Sequence, residues 1–182
     1  MANKIDMKAI GAVAAGAAFL AALGILLKSN YMDAYKGTSE SVFNFISQLE
    51  GFNAKAFWDY KQWSVGFGSG FNYDTMKPVT KDTVVDQATA KRWLLAEASR
   101  NMDTVNNYVK VPLTTNQRTA LLAFVYNVGD AAFINSTLLK LINKKAPKQD
   151  IIKAWSSWVY SGGKVNQGLV NRRNAEINKF FS

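Results

Sequence analysis

Residues 49–70 read LEGFNAKAFWDYKQWSVGFGSG, and the change of texture inside that stretch decides the fold class. Ahead of it, Val42, Phe43, Phe45, Ile46 and Leu49 recur at helical spacing, with Ser39 or Ser41 as candidate N-cap. Gly51 stands where a helix end takes a left-handed residue, which puts Glu50 in the last turn. From Phe57 to Phe71 the pattern alternates through Trp63, Val65 and Phe67, punctuated by Gly66, Gly68 and Gly70. That spacing predicts a small antiparallel sheet with tight turns.

After Asp82 the helical period returns. Asp86 is placed to cap a helix running to about Tyr108. Thr114 and Gln117 make a capping box for a strongly apolar helix, Ala120 to Val128, ended by Gly129. Further helices fit 131–143, 148–160 and 168–180, with Gly162–Gly163 as a break. The sum is an α+β domain over 39–182: one helix, a small sheet lobe, then a helical lobe.

The 182 residues include neither histidine nor cysteine. That excludes a thiol nucleophile, a Ser-His-Asp triad, a disulfide framework and a Cys/His zinc site. Catalysis would fall to carboxylates, Lys, Tyr, Ser/Thr or backbone dipoles. The net charge of +9 favours a polyanionic partner such as cell-wall polymer, anionic lipid or nucleic acid. The basic residues form only short clusters (Lys144, Lys145 and Lys148; Arg172 and Arg173), so no nucleic-acid partner is expected.

Ala9 to Leu27 is an uncharged apolar run of nineteen residues between Lys8 and Lys28. As a helix it would span about 28 Å, close to the thickness of a bilayer core. Small residues recur along it at four-residue spacing (Ala14, Ala18, Ala22), which permits close helix approach in a membrane. We read residues 1–28 as a signal anchor or transmembrane helix and 29–38 as a tether. A cleaved signal peptide lacks a convincing A-x-A site. A buried helix is not needed, because the remaining chain completes a domain.

Glycoside hydrolysis uses two carboxyls facing across a sugar, one protonated and one ionised. Glu50, at the negative end of a helix dipole beside Leu49 and Phe52, is the candidate acid. Asp59, nine positions on in a polar turn, is the candidate base, and the Ser64 hydroxyl could share a water with it. A Glu at a helix end and an Asp in a turn are also ordinary structural residues. Spacing alone leaves both readings open. Trp93, Trp155 and Trp158 lie on apolar helix faces and read as core; Trp58 and Trp63 fit core or sugar platform equally. Arg172 and Arg173 read equally as a solvated helix face.

Several stretches taken together resemble the phage T4-type lysozyme family, from about residue 40 to 182. They are Glu50-Gly51, Asp59 and Trp63-Ser64-Val65-Gly66-Phe67-Gly68; Asn116-Gln117 through Asn127-Val128-Gly129; Phe133 with Ser136-Thr137-Leu138-Leu139; and Gln167-Gly168-Leu169-Val170-Asn171-Arg172-Arg173 with Glu176. The resemblance implies a lysozyme-like fold and a metal-free, cofactor-free peptidoglycan N-acetylmuramidase that cuts the β-1,4 bond with inversion. It implies Glu50 as general acid, Asp59 and Ser64 as holders of the attacking water, Asn127 lining the cleft, and Arg172 orienting Glu50. Two departures stand out. Ser64 replaces the family's threonine and lies one residue closer to the aspartate, and Ser69 stands where histidine is frequent.

The expected function is therefore wall cleavage for phage host lysis or entry. The monomeric catalytic domain would face the periplasm from the host inner membrane or a virion membrane, through residues 9–27. The alternatives are a lytic transglycosylase, which dispenses with Asp59, and a non-catalytic wall-binding or structural virion protein on a lysozyme fold.

Overall fold

A computed structural model describes residues 39–59 and 62–182 of the protein. The apolar run of 9–27 and the tether of 29–38 lie outside the described residues. Among those described, no helix is long and apolar enough to cross a membrane.

The first described helix, α1 (Ser39–Glu50), buries Val42 and Ile46 fully. Residue 39 is already helical, and Ser41 lies inside the helix rather than at its cap. Gly51 ends the helix at φ +70°, its N–H returning to the Ser47 carbonyl at 3.0 Å.

Two strands follow, β1 (Asn53–Asp59) and β2 (Gln62–Gly66), paired antiparallel. Phe57 faces Ser64, Trp58 faces Trp63 and Asp59 faces Gln62, with an irregularity between Asn53 and Phe57. β1 is mostly exposed, whereas β2 dives inward to Ser64, Val65 and Gly66. The free edge of β1 is covered by residues 83–85: Ala56 N–H donates to Thr83 and Val85 N–H to Ala54. Val65 and Ser69 then exchange both backbone hydrogen bonds, 2.9 and 3.0 Å, and so close a tight turn. A second ladder joins β3 (Phe71–Asn72) to β4 (Lys77–Pro78). The β region is thus several short ladders rather than the one small sheet the alternation suggested. Positive φ at Gly66 and Gly68 bends the chain out of sheet geometry before a third strand can form.

The long helix α2 (Gln87–Tyr108) is capped by Asp86, which accepts from Thr89 N–H at 2.6 Å. The helix α3 (Thr115–Val128) carries the capping box in full: Gln117 N–H donates to Thr114 and Thr114 N–H to Gln117. Thr119 to Val125 are buried without a break. A helix apolar on every side must be enclosed, and α3 is packed by α1, α2 and α7.

Where one helix was expected over 131–143, there are two: α4 (Asp130–Ile134) and α5 (Thr137–Asn143). Ser136, itself buried, restarts the helix by accepting Leu139 N–H at 3.0 Å. The next helix, α6 (Lys148–Ser156), stops four residues short of the expected end. Gly162 and Gly163, both at positive φ, turn a small hairpin of β5 (Tyr160–Ser161) and β6 (Lys164–Val165). The helix α7 (Gln167–Phe180), capped by Asn166, closes the chain against α3. Trp93 and Trp155 are core, Trp158 is half-buried with its ring edge-on to Phe124, and Trp58 is exposed.

Candidate active site

Glu50 ends α1, so its side chain leaves the helix where the backbone stops. Its Oε1 receives Arg172 Nη1–H at 2.7 Å. Its Oε2 lies against the backbone of Gly68, where an added Cβ would come within 3.4 Å. Glu50 keeps 18% of its side chain in solvent and Arg172 7%, so the pair is mostly buried with its Glu50 end partly open to water. An ion pair in that setting is screened far less than a surface pair.

Arg172 spends all three arms of its guanidinium. Nε–H goes to Glu176 Oε1 at 3.0 Å, Nη1–H to Glu50, and Nη2–H to the Ala123 carbonyl at 2.9 Å. Its neighbour Arg173 turns into the core. Its Nη2 donates to Asn127 Oδ1 (2.9 Å) and to Glu176 Oε1 (2.8 Å), and the guanidinium lies 4.9 Å from the Phe124 ring. Trp155 Nε1–H completes the cluster at Glu176 Oε2, 2.9 Å away. Burial raises Glu176 above the ordinary carboxylate range, against the pull of Arg173, Arg172 and Trp155. Burial also lowers Arg173. The two arginines that read equally as solvated surface are both buried.

The other two candidates lie on the β1–β2 hairpin, which runs into the turn that abuts Glu50. Directly opposed residues in a ladder point to the same side, and alternate pairs share a side. Asp59 and Gln62, Phe57 and Ser64 therefore share one face, while Trp58 and Trp63 pack edge-to-face on the other, 5.5 Å apart. Gln62 reaches over Gly70, where a Cβ would meet its amide. That is the turn whose Gly68 abuts Glu50. Asp59 is exposed at the rim. Ser64 is fully buried, and its hydroxyl has no hydrogen-bond partner among the described residues. Nor does any hydrogen bond or ion pair among them join Asp59 to Glu50. Asn127, exposed at the end of α3, is tied to the site through Arg173 rather than through Glu50.

Sequence reasoning missed Glu97, Tyr126, Gln62 and Glu176 as parts of this neighbourhood. Tyr126 O–H donates to the Phe67 carbonyl at 3.0 Å and so pins the turn to α3. Burial, followed by Glu97 and Glu50, holds its phenol well above the ordinary range. Glu97 meets Ser69 across the turn. On the helical pattern Glu97 looks like any other solvated acid. Glu176 stood in the family-like closing segment at a spacing of four from Arg172, but no role was read for it. Among the described residues no group of acidic side chains could hold a metal ion.

Chemically, the site offers one carboxyl bonded to a buried guanidinium, one exposed carboxylate on the β1–β2 hairpin, and a hydroxyl on the same face of that hairpin. Comparison with known proteins gives the family. The phage lysozyme family model matches residues 47–176. The endolysin of Bacillus phage PZA is 36% identical over 147 residues, covering 79% of this chain and 55% of that protein. The chain thus spans about half the length of that relative. Among solved structures, the endolysin from Escherichia coli O157:H7 phage FAHEc1 superposes with a TM-score of 0.70 at 28% identity, covering 79% of this chain and 92% of that one. The muramidase domain of SpmX from Asticaccaulis excentricus gives 0.69 at 26% identity, covering 79% and 96%.

Proposed function

The chain belongs to the phage lysozyme family, and on that footing we propose that it is a peptidoglycan N-acetylmuramidase in which Glu50 protonates the glycosidic oxygen. The observation that carries the reading is the Glu50–Arg172 pair at 2.7 Å, with the second carboxylate carried on the β1–β2 hairpin and not bonded to the first. An acid needs a fixed direction toward the leaving oxygen, and Arg172 supplies it. Asp59 is the group that activates water on the opposite side of the sugar, which requires the two carboxyls to stand apart. Ser64 steadies that water from the Asp59 face of the hairpin. Asn127 borders the cleft.

The exposure of Asp59 and the burial of Ser64 favour, as a second reading, chemistry that uses the acid alone: a lytic transglycosylase closing a 1,6-anhydro ring. The products separate the two. Full-length protein and its Glu50→Gln variant are incubated with purified peptidoglycan, and the soluble fragments are identified by mass spectrometry. The muramidase reading expects reducing-end muropeptides from the wild type and none from the variant. Anhydro products establish the transglycosylase. A folded wild type that releases nothing leaves a wall-binding module. For phage lysis or entry, the apolar residues 9–27 would hold this domain on the wall side of a membrane. Membrane fractionation of the full chain beside one starting at residue 28 tests that placement.

A further inference from the structure

The turn that supports Glu50 has a second carboxyl behind it. Ser69, almost fully buried, places its Oγ 3.0 Å from the Phe71 carbonyl and 3.4 Å from Glu97 Oε2. A serine hydroxyl has one proton to give. The carbonyl accepts only, and an ionised Glu97 also accepts only, so one hydroxyl proton cannot serve both. A protonated Glu97 removes the conflict: its O–H donates to Ser69 Oγ, and the Ser69 O–H donates to Phe71. The relay ends on the strand that follows Gly66–Gly70, the turn whose Gly68 backbone lies against Glu50 Oε2.

We propose that Glu97 is a proton-exchanging positioning residue of this site: protonated, it completes a relay through Ser69 that holds the turn against Glu50, and ionised, it breaks the relay and sets a second negative charge behind the acid. This rests on the muramidase reading of Glu50. The groups facing Glu97 come from every packed element: Ser69 from the turn, Glu50 from α1, Arg100 one turn along α2, Tyr126 from α3 and Asp130 from α4. Burial pushes Glu97 up to about 7; Arg100 and the Ser69 hydroxyl draw it down, while Glu50 and Asp130 add to the rise. Its proton is therefore exchanged near neutrality.

The test uses the full chain, wild type and Glu97→Gln, assayed for kcat/KM on wall suspensions from pH 5 to 9. The amide is a permanent stand-in for the protonated carboxyl, since its N–H donates to Ser69 at every pH. For a single group titrating near 7, the ratio of variant to wild-type activity should rise about tenfold between pH 6 and pH 8. Profiles of identical shape, whatever their height, overturn the proposal, because a merely structural role rescales the curve without moving its limb. Carbon-13 NMR of the glutamate carboxyls needs no substrate and separates this idea from the muramidase reading. A resonance titrating near 7 in the wild type and absent from Glu97→Gln supports the proposal even if no muropeptide is ever released. A Glu97 carboxyl that titrates in the ordinary range, about 4.3, overturns it even if the enzyme is fully active.

Discussion

Replacing Glu176 by glutamine should be the most damaging isosteric change in the helical lobe. Three donors converge on this carboxylate: Arg172 Nε–H and Arg173 Nη2–H on one oxygen, Trp155 Nε1–H on the other. An amide keeps one acceptor and turns an NH2 toward a donor, whichever way it is flipped. The two buried guanidiniums lose their shared counter-charge at the same time. Removing one partner of a buried ion pair costs about 3–5 kcal/mol. For a domain of this size each kcal/mol is worth roughly 2–4 °C in Tm, so the variant should melt roughly 6–20 °C lower. Glu50→Gln is the matched control. It removes a carboxylate from the same arginine, but Arg172 keeps Glu176 and the Ala123 carbonyl, and the Glu50 side is open to water. Its Tm should move little while wall cleavage is lost. Thermal scans and urea titrations on both variants, with the m-value checked for constancy, make the comparison. A Glu176→Gln protein as stable as the wild type would refute the idea that this carboxylate holds the arginines in place. So would a Glu50→Gln protein that loses more stability than Glu176→Gln.

Arg172→Lys should lower kcat/KM by at least about tenfold, since an ammonium cannot serve three acceptors in the guanidinium's plane and a charge-assisted hydrogen bond is worth about 1.5–3 kcal/mol; kinetics on wall fragments check it. Gly66→Ala should cost roughly 2–5 kcal/mol, combining left-handed strain at φ +67° with a Cβ only 2.8 Å from that of Ala90. Gly163→Ala, equally left-handed at φ +77° but with nothing within 4 Å, should cost only about 1–2 kcal/mol by the same urea assay. Glu97 predicts a slope of stability with pH. Its carboxyl is raised in the folded protein to about 7, so its contribution is full below the unfolded value of about 4.3 and is lost as pH rises through about 7. The loss is roughly 1–3 kcal/mol after allowance for its partial exposure. Glu97→Gln lacks that slope, and urea midpoints at pH 5 and pH 8 measure it.

Local signals in the sequence were legible and remote ones were not. Asp86 and the Thr114–Gln117 box announce their helices because a cap bonds to backbone three residues away. Gly51 and Gly129 mark helix ends for the same reason. Ser136 was visible as a residue type, yet its capping role broke a continuous helical pattern that hydrophobic spacing had joined. Tyr160 to Val165 carried a Gly-Gly hairpin signal and was read only as a break. Arg172 and Arg173 could be read as solvated surface because nothing within a few residues shows that their partners include Glu50, Ala123 and Asn127. The family resemblance singled out Arg172; nothing in periodicity did. Glu97 had no signal at all, since its relation to Ser69 exists only across the folded turn.

The contact between Glu50 and Arg172 joins residues 122 positions apart, the first described helix to the last. Closing a loop of that length costs about 4 kcal/mol in chain entropy before any contact is made, and non-local closure of this kind comes late in folding. As the polypeptide emerges in order, the hairpin and the helices before α7 are available before Arg172, the residue that holds the Glu50 carboxyl. A chain interrupted between Glu50 and α7 carries Glu50 without its arginine partner. On the proposed reading, wall cleavage is in that sense a property that α7 switches on.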